Sequence, residues 1–132
     1  CLGTGDITPI EHPQIKHFGF IQPAELPKYI SQTGVFVLPS RFEPWGVVVH
    51  EFITAGFPII CSSEVGSQQA FVQDGLNGFV HNPADISGIK NCLQKVMNLS
   101  SEQLNSMADQ SALKAEQYTP SKWANTLLSV LN

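Results

Sequence analysis

The stretch PSRFEPWGVVVHE, residues 39–51, decides how this chain is read. Two glutamates, Glu43 and Glu51, stand eight positions apart, with a proline, an indole and a glycine between them and an apolar run at Val47–Val49. The ring of Pro44 crowds the residue before it, so Glu43 is pushed out of helical geometry and its carboxylate is presented from an extended loop. Pro44 fixes the turn but donates nothing. Gly46 lets the main chain approach a ligand closely, and the N–H groups of Trp45, Gly46, Val47 and Val48 then line up at the positive end of a helix dipole. Such a backbone-built site suits an anion, with phosphate as its natural guest. Glu51 lies one turn inside the same helix, on a segment that reads as buried, where an ionised carboxylate is expensive unless something donates to it. A pair of vicinal hydroxyls, as on a ribose, would serve. The pattern points to a nucleotide-linked sugar, with Glu43 reaching past the phosphate toward whatever it carries. The bland alternative makes Glu43 a loop surface charge and Glu51 a partly exposed charge near a helix N-terminus.

Outward from this stretch, short apolar runs alternate with helical ones, as in β-α units around a parallel sheet. Residues 1–3 read as the end of a strand closed by Gly3 and Gly5, and KHFGFI (16–21) as a second strand. PAELPKYISQTG (23–34) opens with Pro23, keeps Leu26, Tyr29 and Ile30 on one face and stops at Gly34, which predicts a helix. VFVLP (35–39) is a continuous apolar run of strand length, as expected where both faces are covered. Residues 47–55 are apolar nearly all round and predict a buried helix, ended by Gly56 with Pro58 just beyond. PIIC (58–61) supplies another buried strand, a Ser/Gly-rich turn (62–67) leads to a short helix at 68–73, and GFV (78–80) follows turns at Asp74-Gly75 and Asn77-Gly78. The remainder is helical. Ile86, Ile89, Leu93, Val96 and Met97 make one stripe, Ser100 with Gln103 a capping box, and Leu104, Met107, Ala108 and Ala112 the next stripe. Thr119-Pro120 starts a last helix carrying Trp123, Leu127, Leu128 and Leu131.

Composition narrows the function classes. The 132 residues fit one domain, and 42% hydrophobic with only 14% charged residues favours a packed core over disorder. Net charge is −4 and the seven Lys/Arg form no stripe, which disfavours nucleic-acid binding through phosphate neutralisation. FITAGFPIIC, the longest apolar-looking run, is broken by Thr54, Gly56 and Pro58 and falls short of the roughly 18 residues of a membrane span. Cys1, Cys61 and Cys92 include no C-x-x-C and read as reduced thiols of a cytoplasmic chain. His12, His17, His50 and His81 fall in separate elements without ligand spacing, so no metal is expected. The opening CLGTGD, without Met or lead-in, predicts an excised C-terminal piece of a longer protein.

The ordered set G-F, L-P-x-Y, L-P-S, E-P-x-G, E-x-x-x-x-G-x-P and D-G-x-N-G, with its E-x7-E pair at Glu43 and Glu51, resembles the C-terminal half of a retaining GT-B glycosyltransferase of family 4, the group 1 type. The resemblance runs from Leu2 to about Leu131. It implies a Rossmann-like α/β domain, a parallel sheet with flanking helices and a helical tail, with the acceptor site on an absent N-terminal domain. By position it makes Glu43 the catalytic residue at the donor sugar and Glu51 the ribose ligand. Main chain at Trp45, Gly46, Val47 and Val48 would hold the diphosphate, and main chain around Gly19, Phe20 and Ile21 would meet the base. The implied partners are a nucleotide-diphosphate sugar donor and a glycan or lipid-linked acceptor, with no metal or other cofactor, in a cytoplasmic protein or one peripheral at the inner face of the membrane. The family supplies an Arg/Lys pair from a segment upstream of Cys1; Arg41 is the nearest cation and reads as a solvated charge. Three positions depart from the pattern: His50 where an apolar residue is usual, Ser67 for the second glycine of V-G-G, and Ala70 near a usual glutamate. Trp45 replaces the more usual Phe or Tyr and reads as packing under the loop. A non-catalytic nucleotide-binding module and a GT-B sugar-nucleotide epimerase are the alternative readings.

Overall fold

The computed structural model describes residues 1–131. They form two compact units, one spanning Cys1–Thr33 and one running from Gly34 onward. In the smaller unit a 3-10 turn, Pro23–Glu25, leads into α1 (Leu26–Ile30). The helix expected over 23–34 is cut short because the Ser31 and Thr33 hydroxyls take the Lys28 and Ile30 carbonyls at 3.1 and 2.8 Å, competing with further helical turns. The strands expected at 1–3 and 16–21 do not form. Isolated bonds link these segments, from the Gly3 amide to the Gly19 carbonyl (2.7 Å), from the Phe18 amide to the Cys1 carbonyl (3.0 Å) and from the Cys1 ammonium to the Lys16 carbonyl (2.6 Å). Gly3 and Gly19 both take positive φ, 106° and 68°, which interrupts the extended backbone a ladder requires.

The larger unit is built on a parallel sheet of β1 (Phe36–Leu38), β2 (Ile59–Ser62) and β3 (Gly78–His81), in that spatial order. Phe36 pairs with Ile59, and Ile60 with Phe79. Alternate residues feed two apolar layers, which is why these strands read as unbroken apolar runs. Phe36, Leu38, Ile59, Cys61 and Val80 face one layer, where they meet Val49 and Ile53 of α2 (Val47–Thr54) and Phe71 of α3 (Gln68–Phe71). Val35, Val37, Ile60 and Phe79 face the other, against Cys92 of α4 (Ile86–Met97) and Met107 of α5 (Ser101–Ala115). The α/β class is present, and from residue 35 onward so is the order of strands and helices expected from the sequence.

Burial corrects two helix readings. In α2 only Val49 and Ile53 are buried and Val47 is 61% exposed, so the helix covers the sheet with one face rather than lying wholly inside. In α4 the inward stripe is Ile89, Cys92 and Val96, a spacing of three and four, while Ile86 and Met97 are exposed. In α5 the expected stripe is turned inward, with Met107 buried and Leu104, Ala108 and Ala112 half-buried, and Ser111 and Ala115 are buried beside it where the helix packs on α2. The capping box of Ser100 and Gln103 is formed as expected. Thr119 receives the Lys122 amide at 3.3 Å ahead of α6 (Pro120–Leu131), whose apolar stripe is not buried.

Candidate functional site

Two loops meet at the carboxyl edge of the sheet, the edge where ligands bind in open parallel α/β folds. One leaves β1 and runs through Pro39 to Gly46 into α2; the other leaves β2 and runs through Ser63 to Ser67 into α3. Their backbones pair. Glu43 and Val65 form a parallel bridge, the Glu43 amide donates to the Glu64 carbonyl at 3.1 Å, and the Gly66 amide to the Glu43 carbonyl at 2.9 Å. The extended geometry that Pro44 imposes on Glu43 makes this bridge possible. Residue 66 must be glycine here, since a Cβ would collide with the Pro44 carbonyl oxygen.

Two fully buried serines fasten the ends of the first loop. Ser62 Oγ donates to the Ser40 carbonyl and accepts the Glu64 amide at 3.2 Å. Ser67 Oγ donates to the Gly46 carbonyl at 3.1 Å, and the Ser67 amide to the Trp45 carbonyl at 2.8 Å.

Gly46 is left-handed (φ 81°, ψ 63°) and stands at the N-cap of α2, which has no side-chain cap. Among the described residues, the Val47 and Val48 amides of the first turn have no acceptor. They carry the positive end of the helix dipole. A Cβ at Gly46 would stand 3.0 Å from Val65 Cγ1 and 3.1 Å from Glu43 Cγ, so the half-buried Glu43 side chain lies against the turn itself. Unclaimed amides that can hold an anion and a carboxylate that can accept from hydroxyls thus share one corner.

Beneath that corner the buried Phe71 ring gathers three others. His50 stacks on it at 4.7 Å with the planes 4° apart, while Trp45 and Tyr118 meet it edge-on at 6.1 and 4.9 Å. His50, half-buried, is a packing residue in this setting. Trp45 keeps half its surface exposed beside Glu43. Elsewhere on the sheet, burial pushes the Cys61 thiol up to about 12, with Cys92 adding to the shift, and burial also raises Cys92. Both are free thiols used as core residues. Among the described residues no three His, Cys, Asp or Glu side chains gather as a metal site would need, and no helix is long and apolar enough to cross a membrane.

The profile of the group 1 glycosyl transferases matches residues 12–114. The chain belongs to that family. Spore coat protein SA of Bacillus subtilis (strain 168) is 30% identical over 115 residues, 84% of this chain and 30% of that protein. Sucrose-phosphate synthase from Thermosynechococcus elongatus superposes with a TM-score of 0.73 at 24% identity, over 88% of this chain and 29% of that one. The Anabaena protein HepE in complex with UDP and glucose superposes with a TM-score of 0.72 at 22% identity, over 89% and 32%. The shared architecture is the Rossmann-like half of the GT-B glycosyltransferases. This group 1 chain spans less than a third of the length of the curated relatives it matches.

The fold of this group 1 chain brings Glu43, Trp45, Gly46, Val47 and Val48 together. Glu51 follows on α2 but is exposed, so the expectation of a buried carboxylate in need of a donor is corrected: water already solvates it. Gly19, Phe20 and Ile21 belong to the smaller unit, where Gly19 accepts from Gly3, Phe20 is 66% exposed and Ile21 is half-buried. Arg41 is exposed. Ala70 packs against the apolar layer of α2. Sequence reasoning passed over Ser62 and noted Ser67 only as a missing glycine; two serines flanking a Glu-Val-Gly turn were the available signal.

Proposed function

We propose that this chain is the donor half of a hexosyltransferase that transfers a sugar from a nucleoside diphosphate, with retention at the anomeric carbon, to a glycan or lipid-linked acceptor. One observation carries the proposal: the loop from β2 holds the Glu43–Gly46 turn so that the free first-turn amides of α2 stand beside the Glu43 side chain. In this reading the Trp45 to Val48 main chain receives the diphosphate. As the glycosidic bond breaks, negative charge grows on that leaving group, and fixed amide dipoles stabilise it without reorganising. Glu43 accepts from donor-sugar hydroxyls at the reacting carbon, and Glu51, open to solvent, takes the ribose diol. The resemblance alone assigns main chain at Gly19, Phe20 and Ile21 to the base. It also supplies the remaining parts of the proposal: an acceptor site on a preceding domain, metal-free transfer, and a cytoplasmic or peripherally membrane-bound protein.

Kinetics of the full-length enzyme test this. Glu43→Ala lowers kcat by about 100-fold, because its interaction belongs to the transition state. Glu51→Ala raises the donor KM about 10-fold and spares kcat, because ribose is held equally before and during reaction. Wild-type kinetics in both variants would reject the assignment. A melting-temperature panel with UDP, GDP and ADP sugars identifies the nucleotide, since a ligand that binds only the folded state raises the melting point. The 132 residues alone are expected to transfer no sugar, and turnover by them would overturn the two-part cleft.

A further inference from the structure

We propose that Ser67 is a positioning residue for the phosphate-binding turn, its buried hydroxyl setting where the first amide of α2, that of Val47, points. The inference rests on the donor reading above and deepens it by naming what holds that site in shape. Helices α4 and α5 are started by their own side chains, Asp85 and Ser100. Helix α2 has no such cap, and its N-cap residue, Gly46, has no side chain with which to hold the left-handed turn it occupies. Beside the Val49 amide, which takes the Gly46 carbonyl at 3.0 Å as the first bond of the helix, the restraint comes from another loop. Ser67 binds two successive carbonyls of the turn, Trp45 through its amide at 2.8 Å and Gly46 through its hydroxyl at 3.1 Å.

Each of those carbonyls belongs to a rigid peptide plane whose N–H points the opposite way. Fixing the Trp45 carbonyl therefore fixes the Gly46 N–H, and fixing the Gly46 carbonyl fixes the Val47 N–H. Through these planes Ser67 fixes the direction of both donors. Its side chain is fully buried, so water does not replace the hydroxyl when it is removed. Glycine at this position, the usual residue in the resemblance noted above, would keep the amide bond and lose the second one. This chain therefore holds its turn by two restraints from one residue.

The test compares Ser67→Ala with Ser111→Ala in the full-length protein. Ser111 is an equally buried serine that binds the Phe57 carbonyl at 2.7 Å from α5, away from the turn. Probes are UDP, GDP and ADP and their nucleosides, measured by calorimetry. Ser67→Ala is expected to weaken the diphosphate that wild type prefers by about 10-fold, the effect of one lost hydrogen bond on the binding geometry, and to leave the matching nucleoside within about twofold. Ser111→Ala is expected to lower the melting temperature while diphosphate affinity stays within about twofold. Equal diphosphate affinity in Ser67→Ala and wild type would overturn the positioning role and leave the donor reading standing. Loss of diphosphate and nucleoside alike would overturn it too, as general loosening. Should wild type bind none of the three diphosphates, the donor reading falls and takes the inference with it. If the alanine variant does not fold, Ser67→Cys, of similar size but with a weak S–H donor, carries the same comparison.

Discussion

The two ends of the sheet carry the same kind of buried polar network and leave it in different states. At the amino ends of the strands, fully buried Asn77 donates to the Phe71 carbonyl at 2.9 Å and accepts the Gln73 amide at 2.8 Å, while its own carbonyl receives the Ile59 amide at 3.1 Å. Ser111 adds a bond to the Phe57 carbonyl, tying α5 to the approach to β2. Those partners all lie within the protein. At the carboxyl ends, Ser62 and Ser67 are just as buried and just as bonded, yet the loop they fasten ends in the free amides of Val47 and Val48. A closed network contributes stability and rigidity; one left open at a single point holds donors ready for something outside the chain.

Breaking the closed end has the larger effect on stability. Asn77→Ala strands the Phe71 carbonyl and the Gln73 amide and is expected to destabilise by about 3 kcal/mol. Scanning calorimetry then shows the melting temperature falling by roughly 10 °C. A fall under about 2 °C would mean that the amino-end network does not hold the sheet. Gly66→Ala attacks the open end by driving a methyl into the Pro44 carbonyl. It is expected to destabilise by about 2 kcal/mol, less than Asn77→Ala, and yet to weaken diphosphate binding far more. Wild-type affinity in that variant would separate the loop pairing from the site.

The smallest effect is alkaline and sharpens the contrast, because Cys61 lies between the two ends. Burial raises its thiol from 9.0 to about 12. The unfolded chain releases that proton first, so the stability due to the protonated thiol is complete below about pH 9 and is lost as pH rises toward 12. Urea midpoints of wild type are expected to fall more steeply than those of Cys61→Ala from about pH 9 to pH 11. Parallel slopes would show that the thiol is not held protonated.

What the sequence makes legible is whatever depends on short-range pattern. Apolar runs of strand length located β1, β2 and β3, because a strand covered on both faces has no polar alternation to obscure it. The E-P-W-G string located the turn, since Pro44 and Gly46 restrict backbone in ways that need no knowledge of the fold. Segments 1–3 and 16–21 misled for the same reason: aliphatic and aromatic residues promise a strand, and only the positive φ of Gly3 and Gly19 denies it. Side-chain exposure on α2 and α4 was out of reach as well. Whether Glu51 or Ile86 faces water depends on which neighbours arrive from distant positions. Ser67 belongs to that long-range class. Its bond spans 21 positions, and no local rule pairs a serine with the carbonyl of a glycine so far upstream.

The start of α2 presents peptide groups rather than side chains, and a peptide N–H neither gains nor loses a proton across the range in which proteins stay folded. The pull that these amides themselves exert on an anion is therefore insensitive to acidity. It is equally insensitive to replacement of Val47 or Val48 by other residues that keep the helix, because the donors belong to the backbone. Only the geometry of the chain can tune it.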